Sequence, residues 1–202
     1  MFVVCLDLEG VFTPEIWEVV AMETDIKKLS LTTRDIPDYD KLMKQRLEIL
    51  RDNKVTLNDV QKIIGNMEIL PGAAEFLKWI RSNTQAIIVT DSYVEFLKPL
   101  AQKLNFPVIF CHDLGIDKDG FIINYNLRLK DMKKKTVSAF KSLNYNVIAI
   151  GDSYNDIGML NEADYGILFR PPEKVKGEFS HFPVFTKYTE LKSFISNHLG
   201  IE

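Results

Sequence analysis

The sequence predicts an α/β fold built on a parallel sheet, and three observations carry that expectation. Apolar runs of strand type at residues 3–6, 86–89 and 147–150 alternate with stretches of helical periodicity. Each run ends abruptly in polar residues: Asp7 and Glu9, Thr90 and Asp91, then Asp152 with Asn155 and Asp156. Between the first two runs, residues 13–66 hold helical patterns and no strand. Strands that alternate with helices form βαβ units, whose strands lie parallel and buried on both faces. The helical stretch is then an insertion over the carboxyl edge of the sheet, where open α/β sheets bind ligands.

Taken in order, Val3, Val4, Cys5 and Leu6 make the first strand. Pro14 and Glu15 open a helix, proline being suited to a first helical turn, and Ile16, Trp17, Val19, Val20 and Met22 form its apolar face. A polar connection over 31–37 leads to a second helix, 39–51, with Leu42, Met43, Leu47 and Leu50 at helical spacing. Thr56 followed by Asp59 reads as a capping box for a third helix, which Gly65 closes. Further helices are expected over 71–80, 95–104, 136–143, 155–161 and 188–199, with strands at 107–111 and 165–168. Residues 114–116 and 121–127 flank an Asp/Gly turn and read as a β-hairpin outside the main sheet. The expected division is an α/β core of residues 1–13 and 67–202 with a helical cap of 14–66.

Composition narrows the function. The chain has 202 residues, 46% hydrophobic and 26% charged, enough for one domain with an insertion. A net charge of -3 argues against a nucleic-acid face, which needs clustered excess lysine and arginine. Lys133, Lys134 and Lys135 are the only basic run. Cys5 and Cys111 sit in apolar, strand-like stretches and read as two buried thiols. The chain opens directly on a strand, and no apolar run is long enough to span a bilayer, so a cytoplasmic protein without membrane contact is expected. The three histidines are scattered and receive no chemistry; Trp17 and Trp79 read as core. Oligomeric state is left open, a homo-oligomer included.

The strand ends carry the chemistry. A lone Asp or Thr there usually caps a helix. Three such sites in one βαβ series instead share one edge of one sheet. Two acids at a buried strand tip call for a cation, and Mg²⁺ takes carboxylate oxygens while keeping several waters. A phosphate monoester is a dianion that a carboxylate approaches against repulsion, and the cation and a lysine offset that charge. Asp7 is read as the nucleophile that forms an aspartyl-phosphate, and Glu9 as the acid that protonates the leaving alkoxide and later deprotonates the acceptor. Asp7, Asp152 and the backbone carbonyl of Glu9 are the expected metal ligands. Thr90 would position the phosphoryl oxygens. The residues alone admit any small phosphate monoester as substrate.

The order Asp7-Leu8-Glu9-Gly10-Val11, Thr90, a lysine near 133, and Gly151-Asp152-Ser153-Tyr154-Asn155-Asp156 resembles the four motifs of the haloacid dehalogenase superfamily. The all-helical insertion after the first motif is similar to that of its phosphoserine phosphatase branch. The resemblance implies a Rossmann-like parallel sheet with an inserted all-helical cap, and it favours Lys133 as the phosphate-binding lysine. Glu9 replaces the commoner Asp, and Thr90-Asp91-Ser92 replaces Ser-Gly-Gly. With the stretches 32–40 and 43–46, these departures resemble the subgroup of bifunctional phosphoserine phosphatase/homoserine phosphotransferases. That implies small-molecule partners: O-phospho-L-serine as donor, with water or L-homoserine as acceptor. It also implies substrate contacts for Asp91 and Asn155, for Glu15 with the substrate ammonium, and for Arg46 with its carboxylate, Arg34 being a weaker candidate. Asp156 is left between a metal ligand through water and a brace for its loop.

Overall fold

The computed structural model describes residues 1–32, 35–36 and 38–201. Arg34 therefore lies outside the described residues. Strand β1 (Phe2–Leu6) is followed by helices α1 (Ile16–Thr24), α2 (Tyr39–Asp52), α3 (Leu57–Asn66) and α4 (Ala73–Asn83). Then come β2 (Gln85–Tyr93), α5 (Val94–Ala101), β3 (Ile109–Ile116), β4 (Ile122–Asn126), α6 (Met132–Ser142) and β5 (Asn146–Gly151). The chain ends with α7 (Ile157–Glu162), β6 (Tyr165–Phe169), α8 (Glu173–Glu178), β7 (Val184–Phe185) and α9 (Tyr188–Leu199).

The strands form one seven-stranded sheet in the order β4-β3-β2-β1-β5-β6-β7, and only β4 runs antiparallel to its neighbour. β1 is central because its residues are apolar on both faces. Val4 and Leu6 join one core with Ile88, Ile148 and Ile150, covered by α1, α3, α4 and α9. Val3 and Cys5 face the other side with Val89, Val147 and Ala149, covered by α6 and α7. Period-two alternation along a strand sorts the side chains into these two layers.

Register brings the strand ends level. Leu6 pairs with Ile88 on one side and Ile150 on the other, so Asp7, Val89-Thr90 and Gly151-Asp152 emerge together. The Asp7 N–H donates to the Ile150 carbonyl at 2.9 Å, carrying the pairing one residue past β1. The chain then turns sharply: the Phe12 and Thr13 amides both donate to the Leu8 carbonyl, and Gly10 sits at φ 73. That left-handed conformation suits glycine, and a Cβ on Gly10 would collide with the Asp152 carboxyl.

Helices α1–α3 pack into the same core as the upper face of the sheet, through Ile16, Val20, Met43, Leu47, Val60 and Ile64. The capping box expected at Thr56 and Asp59 is present: Asp59 accepts from the Thr56 amide at 3.0 Å, and Thr56 Oγ1 accepts from the Asp59 amide. Gly65 lies inside the last turn of α3, which closes one residue later.

The hairpin departs from expectation. The two segments read as separate strands, 107–111 and 114–116, are one strand, β3, and β4 pairs with its second half as the edge of the main sheet. The turn between them is held by Asp117 Oδ1, which accepts from the Asp119 and Phe121 amides. The same hairpin touches the helical stretch. The Leu57 amide donates to the Gly120 carbonyl at 2.9 Å, and the Tyr125 hydroxyl donates to Asp40 at 2.6 Å. Cys5 is buried but Cys111 is only half-buried, because β3 is covered unevenly near the edge. Trp17 and Trp79 are also only partly buried, against the core rather than within it.

Candidate active site

A cavity of about 600 Å³ opens at the carboxyl ends of the central strands, with Asp7, Glu9, Thr90, Asp91, Lys133 and Asn155 on one wall and Glu15, Trp17, Tyr39 and Arg46 from the helical stretch on the other. The fold thus brings eight of the predicted residues, all but Asp152, to the lining of one space. Asp152 lies behind them against Gly10.

Lys133 is the hub. It lies in the first turn of α6, whose N-cap residue Asp131 adopts a left-handed conformation and so sets the helix phase. Lys133 Nζ is 2.8 Å from Asp7 Oδ1, 2.7 Å from Asp156 Oδ1 and 3.6 Å from Asp91 Oδ2. Its neighbours Lys134 and Lys135 are exposed; Lys134 lines the cavity, but of the three lysines only Lys133 reaches the acidic cluster. Burial alone would lower the Lys133 ammonium, but Asp156, Asp7 and Asp91 outweigh it and hold it well above the usual lysine range.

Asp156 is the brace. It is fully buried, and its Oδ2 accepts from the Asp152 amide at 3.0 Å and the Ser153 amide at 3.1 Å while Oδ1 holds Lys133. Gly151 is required beside it, since a Cβ there would collide with Asp156. Asp156 also belongs to the acidic cluster: Asp7, Asp152 and Asp156 each offer a carboxylate oxygen, all within 4.8 Å of one another. Among the described residues this is the one side-chain group suited to a metal ion, and it includes two of the three predicted ligands. The Glu9 side chain turns elsewhere, toward Glu15.

The electrostatics of the cluster ask for a cation. Burial, with Asp156 next, pushes Asp7 well above the carboxylate range despite Lys133. Burial and then Asp156 raise Asp152 to about 7. One ammonium does not offset three carboxylates in a water-poor pocket, and oxygen-only donors of this kind suit a hard divalent ion. Burial, followed by the Glu15 carboxylate, also raises Glu9 well above its ordinary value, the direction that suits a proton donor.

The rest of the cavity lining comes from both the sheet and the helical stretch. Thr90 is buried, and its Oγ1 accepts from the Ser92 amide at 3.2 Å, leaving the hydroxyl proton free to donate. Asn155 Nδ2 donates to Asp91 Oδ2 at 3.0 Å from a short 3₁₀ turn before α7. Across the cavity, Arg46 is 6% exposed, stacks at 4.5 Å over Trp17, and donates to the Leu31 carbonyl at 2.6 Å. Its Nε has no partner. Glu15 is exposed at the N-cap of α1, beside the cavity.

Two groups in this wall carried no prediction. Tyr39 and Tyr93 meet hydroxyl to hydroxyl at 2.8 Å. His112 is buried with Nε2 3.7 Å from Asp91 Oδ1. Both arise from the register of Tyr93 against His112 across a β-bulge, which no spacing in the sequence signals.

The profile of the haloacid dehalogenase-like hydrolases matches residues 3–164, from the first strand to the loop after α7. The chain belongs to this family. Within the haloacid dehalogenase-like hydrolases it is 52% identical over 192 residues to a protein of Pseudomonas aeruginosa named phosphoserine phosphatase ThrH, covering 95% of this chain and 94% of that one. It is 50% identical over 190 residues to a phosphoserine phosphatase of Pseudomonas syringae pv. tomato, covering 94% of this chain and 80% of the relative. Among solved structures, a phospho-aspartyl intermediate analogue of phosphoserine phosphatase superposes with a TM-score of 0.78 at 17% identity, over 96% of this chain and 98% of that one. At that identity the likeness establishes the fold. Among the described residues, no helix is long and apolar enough to cross a membrane.

Proposed function

We propose that this protein hydrolyses O-phospho-L-serine through an aspartyl-phosphate on Asp7, with Mg²⁺ as cofactor, and that it can pass the phosphoryl group to L-homoserine as well as to water. Residues 14–66 act as the cap that closes over the substrate, and 1–13 with 67–202 as the catalytic core. The observation that carries the reading is the 2.8 Å contact of Lys133 with Asp7 inside the acidic cluster.

Mg²⁺ would be held by Asp7, Asp152 and the Glu9 carbonyl, with Asp156 bracing the loop. When bound, it offsets the charge of the carboxylates and the incoming phosphate. The chain does the rest. An Asp7 oxygen attacks phosphorus and the bond from phosphorus to the serine oxygen breaks. Glu9, its carboxyl raised by burial and Glu15, gives its proton to that oxygen, so serine leaves as the alcohol. Lys133, the Thr90 hydroxyl and Asn155 meet the phosphoryl oxygens. The Glu9 carboxylate then takes a proton from the acceptor hydroxyl, which attacks phosphorus and frees Asp7. Glu15 and Arg46 bind the ammonium and carboxylate of the amino acid, and Asp91 lines the path between the halves. The relatives named phosphoserine phosphatase support the donor; the Glu9 and Thr90-Asp91-Ser92 departures support the homoserine acceptor.

The test is an acceptor competition. The enzyme with Mg²⁺ and phosphoserine should release phosphate, and added homoserine should divert part of it into O-phosphohomoserine. Absence of both products would overturn the reading. Phosphate release without diversion would remove the transferase half.

A further inference from the structure

His112 is an unassigned group with a defined role open to it. It lies in β3, 4% exposed, and its ring tautomer is set by a neighbour: Nδ1 accepts the Arg128 amide at 3.2 Å. Accepting there leaves the ring proton on Nε2. Nε2 faces Asp91 Oδ1 at 3.7 Å. The opposite oxygen of the same carboxylate accepts from Asn155 Nδ2 at 3.0 Å and lies 3.6 Å from Lys133 Nζ. One carboxylate thus stands between a buried histidine and two groups of the phosphoryl site.

We infer that His112 is a positioning residue: by orienting the Asp91 carboxylate it holds Asn155 and Lys133 where the phosphoryl group is met. Asp91 places a negative charge beside the proposed anion site, 3.6 Å from Lys133 Nζ. The inference gives that charge a use. Lys133 already serves Asp7 and Asp156, and a freely rotating Asp91 would draw the ammonium off them. Held by His112 on one side and Asn155 on the other, Asp91 contributes at a fixed distance. The same contacts, led by Lys133, outweigh burial and keep the Asp91 carboxyl well below the usual range. The inference rests on the reading that this site handles a phosphoryl group.

Glutamine reproduces the donor at Nε2, and asparagine reproduces only the acceptor at Nδ1, so the two variants separate the contacts. His112→Ala should lower kcat/KM about tenfold through loss of the 3.7 Å polar contact with the Asp91 carboxylate. His112→Gln should return to within about threefold of the parent, while His112→Asn should stay near the alanine value. Each variant is assayed with phosphoserine and with p-nitrophenyl phosphate, which needs the phosphoryl site alone. The pattern should be the same on both. Should the parent turn over only p-nitrophenyl phosphate, the substrate reading fails and the histidine series still decides the inference. Recovery by asparagine and not by glutamine would overturn it, placing the role of His112 at the Arg128 loop. Parent-like rates for all three variants would overturn it too. If His112→Ala does not fold, the comparison of glutamine with asparagine in an Asp91→Ala background replaces it. There the two must be equal, and a persisting advantage of glutamine would count against Asp91 as the link.

Discussion

The Tyr39 hydroxyl on α2 lies 2.8 Å from the Tyr93 hydroxyl at the end of β2, joining the helical stretch to the sheet across the roof of the cavity. Tyr93 is 1% exposed, so its hydroxyl depends on Tyr39. Burial dominates the titration of both phenols, pushing each above the ordinary value. Tyr39→Phe leaves the Tyr93 hydroxyl buried and unpaired, and should cost about 1–3 kcal/mol of stability. Removing both hydroxyls should cost less than the sum of the single changes. Urea unfolding of the two single variants and the double variant checks the cycle.

Lys133 balances three carboxylates. Lys133→Met should abolish phosphoryl transfer and lower stability by about 3–5 kcal/mol, because it strands buried charge at Asp7 and Asp156. The exposed neighbour Lys135, which does not line the cavity, is the control: Lys135→Met should stay within about 0.5 kcal/mol and keep full activity. Thermal melts and phosphate release read both.

Arg46 is buried, stacked on Trp17 and has a free Nε beside the cavity. Arg46→Ala should raise KM for phosphoserine by about tenfold or more while barely changing that for p-nitrophenyl phosphate, which has no carboxylate to bind. An equal loss on both substrates would make Arg46 a structural residue. Initial-rate kinetics on the two esters distinguish the cases.

Asp152 sits at about 7, raised by burial and then by Asp156. An acid whose folded value is raised binds its proton more tightly in the folded chain. The stability it contributes is full below the unfolded value near 4 and is lost as pH rises through about 7. The metal-free protein should therefore show a falling contribution from this group between about pH 4 and 7. A divalent ion must displace the proton, so its affinity should climb across the same window. Calorimetric Mg²⁺ titrations at pH 6 in buffers of different ionisation enthalpy should reveal proton release, and Asp152→Asn should reduce the number of protons released.

What could be read from the sequence followed from local chemistry. Asp7, Glu9, Thr90 and Asp152 were legible because each lies within three residues of the end of an apolar run, and parallel pairing in register makes those ends level. The capping box at Thr56 was legible because both partners lie within one turn. Choosing among Lys133, Lys134 and Lys135 by residue type alone was not possible, since the left-handed Asp131 fixes the helix phase. His112 and Tyr93 were invisible because their pairing crosses an irregularity in β2. The merging of two segments into β3 depends on which strand each half meets, and α8 and β7 are too short to carry a period.

The central position of β1 has a consequence for how the protein is made. Asp7 follows the first strand of the family match, and Asp152 and Asp156, which complete the cluster, come from the loop after β5, near the far end of that match. Thr90 arrives with β2 on one flank, but the other flank of β1 stays open until most of the chain has been made. A contact between such distant segments carries a larger loop-closure cost than a local one. A nascent chain or proteolytic fragment ending before β5 would carry Asp7 with neither its lysine clamp set by Asp156 nor its second acid. Such an incomplete chain is chemically mute, and catalytic competence appears only with the closing of the sheet.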